Sequence, residues 1–263
     1  MKIEGKIVVV TGAAQGIGQA LSERFQQEGA RHVVVVDRNA EGVLAVARAI
    51  GATAFTCDVS VEHELRQVVE ETEARQGPID LFCSNAGVAD PDPDPANSAS
   101  APDAVWMRAW AINVMAHVYA ARILVPRFTL RGGGYFLNTV SAAGLLNQIG
   151  SAVYATTKHA AVGFAENLAI SHGDQGIKVS ILCPQGVDTD MLRSIPKGPQ
   201  SGDGDLSPEQ VAKDALEGIE RETFLILPHP QVLGYMRKKT DNYDRWIAGM
   251  AKIQAKLREE FGK

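Results

Sequence analysis

Cysteine is scarce in these 263 residues: Cys57, Cys83 and Cys183 are odd in number, far apart, and each sits in an apolar, strand-like run. That excludes a disulfide framework or a cysteine metal centre and predicts three buried free thiols in a reducing compartment. An excess of positive charge is also missing. The 26 basic and 31 acidic residues are spread along the chain for a net charge of -5. No basic face exists to neutralise a phosphate backbone, which excludes nucleic acid as a partner. No run approaches the roughly 18 apolar residues of a membrane span, and the first strand-like run starts within a few residues of Met1. A cytoplasmic protein without signal peptide or membrane segment is expected. Linkers are absent too, so residues 1–263 read as one domain, long enough to bury about three quarters of its unfolded surface. The one low-complexity stretch, Asp90-Pro-Asp-Pro-Asp-Pro-Ala-Asn-Ser-Ala-Ser-Ala, is too rich in Pro and Asp for helix or strand and reads as a solvated loop.

What is present is a repeated alternation. Residues 6–11 (KIVVVT) form an apolar run that leads straight into Gly12-Ala13-Ala14-Gln15-Gly16-Ile17-Gly18 and a helical stretch at 16–28. Further strand-like runs lie at 31–36, 52–57, 79–84, 135–140, 177–183 and 223–227, with helical stretches at 40–50, 61–76, 102–126 and 151–172. Purely apolar strands alternating with helices predict an α/β fold: a Rossmann-type, doubly wound parallel sheet of about seven strands in a three-layer αβα sandwich. A helical tail at about 229–263 follows. Its Tyr243, Trp246, Ile247, Met250, Ile253, Leu257 and Phe261 recur at spacings of three and four, an apolar stripe that needs a surface on its own subunit or on a sister subunit.

The strand ends carry the polar residues. Glycines at 12, 16 and 18 permit a tight turn and close backbone approach, and the helix N-terminus beyond them suits a pyrophosphate, although a plain βα turn uses the same residues. Asp37, about twenty residues on, suits the two ribose hydroxyls of an adenosine and would repel a 2′-phosphate; it also suits a helix N-cap. Arg38 follows, but Gln15 offers no second cation, so NAD is favoured over NADP. Asp58 with Val59, then Asn85-Ala86-Gly87, Ser141 and Pro184-Gln185-Gly186 close successive strands and face one crevice. Tyr154 and Lys158 share a helix face, where a cation beside a phenol lowers its pKa from about 10. Alone, that spacing equally describes a surface pair.

Taken together these residues resemble the short-chain dehydrogenase/reductase family from Lys6 to about Leu227. The family's T-G-x-x-x-G-x-G fingerprint stands as Thr11 to Gly18, its Asn-Asn-Ala-Gly as Ser84-Asn85-Ala86-Gly87, and its Asn, Ser, Tyr and Lys fall on Asn113, Ser141, Tyr154 and Lys158. The resemblance implies reversible hydride transfer between nicotinamide and a secondary alcohol or ketone. Tyr154 is then the proton donor and acceptor, Lys158 holds the nicotinamide ribose, Ser141 bonds the substrate oxygen, and Asn113 holds a relay water. Asn113 as a buried structural amide and Ser141 as a strand-end hydroxyl are the plainer readings. It further implies cofactor contacts at Gly12, Gln15, Gly16, Ile17, Gly18, Asp37, Arg38, Asp58, Val59, Asn85, Ala86, Gly87, Tyr154, Lys158, Pro184, Gly186, Val187 and Thr189. A homodimer or homotetramer follows at the same level, with Ala155, Ala160, Ala161, Gly163, Ala165 and Ala169 letting the helix pack closely on a neighbour or on the core. NADPH-dependent carbonyl reduction and a non-catalytic nucleotide-binding regulator are the alternatives.

Two departures stand out. Gln185 replaces the glycine of the family's Pro-Gly-x-Val-x-Thr, and the chain ends in Pro228-His229-Pro230 and a tail rather than the Val-Asp-Gly-Gly segment of many tetrameric members. The substrate pocket is expected after Ser141, under a lid at 188–206 carrying Met191, Leu192 and Ile195. No Arg or Lys adjoins Ser141, which favours an uncharged, hydrophobic substrate; Arg193 and Lys197 on the lid are the cations that could meet an anion. His159 and His172 are too far apart on the helix for a metal pair and read as packing or surface residues.

Overall fold

The computed structural model describes residues 1–195 and 198–261, with the side chains of 260 and 261 outside that description. Lys197 therefore lies outside the described residues. Four β-branched apolar residues and a threonine, Ile7–Thr11, leave no polar face to turn to water; as β1 they are buried throughout. β2 (His32–Asp37), β3 (Thr53–Thr56), β4 (Leu81–Ser84), β5 (Gly134–Thr139), β6 (Ile177–Leu182) and β7 (Leu225–Ile226) join it in one parallel sheet of order β3-β2-β1-β4-β5-β6-β7. Val9 sits opposite both Val34 and Phe82. The order reverses between β1 and β4, the place where helices leave opposite faces and a crevice opens at the strand C-termini.

Strand alternation splits the core into two layers. Ile7, Val9, Phe82 and Phe136 pack under α3 (Glu62–Gln76), α5 (Ala116–Leu130) and α7 (Ala152–His172). Val8, Val10, Leu81 and Leu137 pack under α1 (Gly16–Gln27), α2 (Ala40–Ile50) and α9 (Pro208–Glu220). The three-layer sandwich expected from the pattern is the one observed, and the three cysteines are free and buried. Among the described residues no helix is long and apolar enough to cross a membrane.

Two sequence expectations need correction, and a third, which allowed two readings, divides between them. The helix expected to stop near Pro126 runs from α4 (Asp103–Trp110) through a π turn at Ala111–Met115 into α5, with Pro126 inside it. A mid-helix proline costs about 3 kcal/mol locally; burial of Phe128, whose ring centroid lies 5.0 Å from that of Phe136, opposes that cost. The stretch at 90–101 is not merely solvated. Its tip is exposed, but Asp92 is buried, its amide donates to Gly150 O (2.8 Å) and its carboxylate accepts from Ala152 N (2.9 Å). A loop of three Asp-Pro pairs is thus bonded to the first turn of α7. Third, the small residues of α7 divide: Ala155, Ala161 and Ala165 are core, whereas Gly163 is exposed with open space around it.

The tail forms α10 (Gln231–Asp241) and α11 (Tyr243–Phe261), and it covers its own subunit. Lys239 Nζ donates to Leu145 O (2.7 Å) in α6 (Ala143–Leu146), and Gln254 and Arg258 of α11 donate to Pro95 and Ala96 carbonyls.

Candidate active site

One continuous crevice of about 1820 Å³ runs along the strand ends, from Asp37 to the tail helices. Its nucleotide-shaped half starts at the turn between β1 and α1. Gly12 and Gly16 adopt φ of +66° and +57°, left-handed values that favour glycine. A Cβ on Gly12 would lie 2.7 Å from Ala86 Cα, and one on Gly18 only 2.1 Å from Gly12 O. These two glycines let β1, α1 and the end of β4 touch; Asn85 Nδ2 completes the join by donating to Thr11 O (3.0 Å) and Gly12 O (3.3 Å). Helix α1 begins without a side-chain cap or an acidic residue in its first turn. Its amide groups and positive end stay available to an anion, and the surroundings fit a pyrophosphate.

At the far edge of this half, Asp37 accepts from Ala14 N (3.1 Å) and Asn39 N (2.9 Å). The cap of α2 is Asn39, whose side chain accepts from Gly42 N (3.1 Å), so Asp37 is not the N-cap that one reading allowed. Gln15, Arg38, Asp58, Val59, Asn85, Ala86 and Gly87 line the same wall, and Thr189, as N-cap of α8 (Asp190–Arg193), closes over Gly16. Pro184 and Val187 complete it. Gly186 lies behind the wall: a Cβ there would fall 2.0 Å from Asp205 Oδ1. Gly18 lies behind it as well.

Tyr154 and Lys158 occupy successive turns of α7 and both line the crevice. Lys158 is buried, donates to Thr139 O (3.1 Å), and places Nζ 5.6 Å from the Tyr154 ring centroid. Burial pushes its pKa down to about 8. The Tyr154 phenol is also shifted by burial, upward, with the nearby Ser141 hydroxyl opposing the shift. The expected depression of the phenol by its lysine is therefore not found in the chain alone, because desolvation drives both groups toward their neutral forms. Ser141 Oγ accepts from Ala143 N (3.0 Å) and reaches Pro184 O (3.4 Å), so the hydroxyl is held at the strand end beside Tyr154.

Asn113, in the π turn, is fully buried and does not line the crevice. Its Oδ1 accepts from Val88 N (2.9 Å), and its Nδ2 donates to Val88 O (2.9 Å) and Thr157 Oγ1 (3.0 Å). The amide ties the strand after β4 to α7. One turn on, buried His117, whose two ring nitrogens have no hydrogen-bond partner among the described residues, has its pKa pushed down to about 3 by burial and the Lys158 charge. An unfolded imidazole takes its proton near pH 6.5, the folded one only near 3, so acid within that window favours the unfolded chain. From pH 6.5 to 4 this one group removes about 3 kcal/mol of stability. His117→Gln should lose that much less in urea unfolding at pH 4 relative to pH 7; equal losses would contradict the assignment.

The substrate half combines the expected and the unexpected. Met191, Leu192 and Ile195 of the lid line it as anticipated, with Leu146 and Ile149. Arg193 does not; it pairs with Asp188 and with Asp190 (2.7 Å). The stripe of α11 splits, Trp246, Met250, Ile253 and Leu257 facing the crevice while Tyr243 and Ile247 are exposed. Sequence reasoning missed that this helix walls the pocket and brings Arg245 and Arg258 to its far rim, where α10 adds Lys238. The apolar stripe was the signal; its target was not visible. His159 Nδ1 bonds Ala155 O (2.8 Å) and the half-buried His172 bonds Gln175 Oε1 through Nδ1 (3.0 Å), as packing and surface roles require.

The family model described as short chain dehydrogenase matches residues 6–200. The chain is 33% identical over 255 residues to 1-deoxy-11-beta-hydroxypentalenate dehydrogenase of Streptomyces exfoliatus, covering 94% of this chain and 92% of that protein. It is 31% identical over 200 residues to 7alpha-hydroxysteroid dehydrogenase of Escherichia coli, covering 74% and 76%. Among solved structures, a 7 alpha-hydroxysteroid dehydrogenase complexed with NADH and 7-oxo glycochenodeoxycholic acid superposes with a TM-score of 0.78 at 28% identity, covering 86% of this chain and 93% of that one. A short chain dehydrogenase/reductase from Burkholderia phymatum in complex with NAD gives 0.79 at 26% identity, covering 93% and 96%.

Proposed function

Because the chain belongs to the short-chain dehydrogenase family, we propose that its crevice binds NAD and transfers a hydride reversibly between it and a hydrophobic secondary alcohol or ketone. The observation that carries this reading is the convergence of Ser141, Tyr154 and Lys158 with the uncapped start of α1 and with Asp37 in one crevice. NAD supplies the hydride acceptor and donor at its nicotinamide ring. The amides of Gly16 and Ile17 at the uncapped start of α1 would receive the pyrophosphate, and Asp37 would hold the adenosine ribose hydroxyls. Tyr154 takes the alcohol proton or returns it, and Ser141 donates to the substrate oxygen as charge develops there. Lys158 holds the nicotinamide ribose and passes the proton outward. Every donor of the Asn113 side chain is occupied by Val88 and Thr157, so its side chain serves to tie the strand after β4 to α7. The apolar walls from the lid and α11 favour a substrate whose body is hydrophobic and whose reacting end is uncharged.

We assign residues 1–263 to one NAD-binding domain with the tail at about 229–263 as its cover, in a cytoplasmic homodimer or homotetramer. Unpaired buried cysteines support the compartment, and exposed Met107, Trp110 and Ile170 supply apolar surface for a second copy. The test is absorbance at 340 nm with each nicotinamide cofactor over an alcohol and ketone panel. NAD should be preferred over NADP by about a hundredfold, and Asp37→Ala should shrink that ratio about tenfold by removing like-charge repulsion. A wild type that prefers NADP would replace this reading with an NADPH-dependent carbonyl reductase.

A further inference from the structure

The Pro228-His229-Pro230 departure and the Gln185 departure meet in space. β6 pairs with β7 only as far as Cys183 N, which donates to Ile226 O (3.0 Å), and Pro184 has no amide to continue the ladder. The next donor, Gln185 N, is taken by a side chain: His229 Nδ1 accepts from it at 3.1 Å. Since Nδ1 accepts, the ring proton sits on Nε2, which donates to Gly204 O at 3.1 Å. The imidazole is buried, 2% exposed, with both nitrogens occupied, and it is absent from the crevice wall.

Each partner belongs to a different half of the site. Gln185 starts the segment whose Val187 and Thr189 line the nucleotide half, and Gly204 follows Gly202 and Asp203 of the lid, which line the crevice. The two segments are already bonded along their length, Gly186 N to Gln200 O (2.8 Å), Leu206 N to Gly186 O (3.0 Å) and Asp188 N to Leu206 O (2.9 Å). His229 adds a bridge from behind. It also marks the point where the chain leaves the sheet for the tail, because Val232 N donates to His229 O (3.1 Å) and Val232 is fully buried at the start of α10.

We propose that His229 is a positioning residue: its ring holds the nicotinamide-facing segment and the lid base in one register, so cofactor and substrate sites keep a common geometry. This rests on the reading of the crevice as an NAD and alcohol site.

Two substitutions separate the two bonds. In His229→Asn the side-chain oxygen can replace Nδ1 for Gln185 N but is too short for Gly204 O. In His229→Gln the amide can reach Gly204 O but offers nothing to Gln185 N. One lost hydrogen bond corresponds to about a fivefold effect. Substrate KM should therefore rise about fivefold in the Asn variant with NAD affinity unchanged. In the Gln variant NAD Kd should rise about fivefold and kcat fall, with substrate KM little altered. Hydrogen exchange on the protein without NAD should quicken at 200–206 in the first and at 185–188 in the second. Identical patterns in both variants, or lowered melting temperatures with wild-type kinetics and exchange, would overturn the proposal. A wild type that binds no NAD would sink the crevice reading instead, and the exchange measurements would still test the bridge.

Discussion

Tyr154→Phe should lower kcat by about a thousandfold, the scale of a lost general acid and base, while NAD Kd stays within about twofold. The phenol oxygen is the proton-bearing atom that Tyr154 offers in the crevice that Ser141 also lines, and the substitution removes that atom and nothing else. The ring keeps its place on α7, so the wall it offers to the cofactor survives. Lys158 cannot substitute, since it sits one helical turn further along α7, with Nζ 5.6 Å from the Tyr154 ring centroid. Stopped-flow turnover with a panel-selected alcohol, alongside fluorescence titration of NADH, measures both quantities. Retention of a tenth of wild-type activity would remove Tyr154 from the chemistry.

The second large effect is expected at Gly18. A methyl added there meets Gly12 O at 2.1 Å and Asn85 Nδ2 at 2.6 Å, both parts of the join between β1, α1 and β4. Neither a backbone carbonyl nor an amide with two hydrogen bonds can step aside without opening the turn. Overpacking of this kind costs about 1–3 kcal/mol, or several degrees of melting temperature in a chain of this size. Gly18→Ala should also weaken NAD binding by about a hundredfold, because the amides that would face the pyrophosphate move with the turn. Gly163→Ala is the control: nothing lies within 4 Å of its Cβ, and replacing a helical glycine there should stabilise by about 0.5–1 kcal/mol. Calorimetry and NADH titration of the two variants decide the matter. Wild-type NAD affinity in Gly18→Ala would mean that the turn does not carry the cofactor.

Much of the nucleotide half was legible before any coordinates. Apolar runs such as Ile7–Thr11 leave no choice but burial on both faces, and the glycine spacing after them is a local requirement of a strand meeting a helix. Tyr154 and Lys158 could be placed together from their spacing alone, since one turn of helix separates them. Their protonation could not, because it depends on how much water the fold removes from each. Desolvation proved the larger influence on both. Likewise the amide of Asn113 could be nominated from its motif, but its commitment to Val88 and Thr157 depends on elements brought together by the sheet.

The sequence by itself determined the parallel sheet, the crevice at its switch point and the identity of the polar residues that line the nucleotide half. These follow from periods of two and 3.6 and from turn chemistry, all of which act between neighbours in the chain. Only the tertiary structure decided what covers the substrate. Loop residues Pro95 and Ala96 meet Gln254 and Arg258 more than 150 residues later, and His229 reaches back to Gln185 and Gly204. Such contacts leave no periodic trace, because their geometry is set by how whole elements pack and not by the order of residues within one.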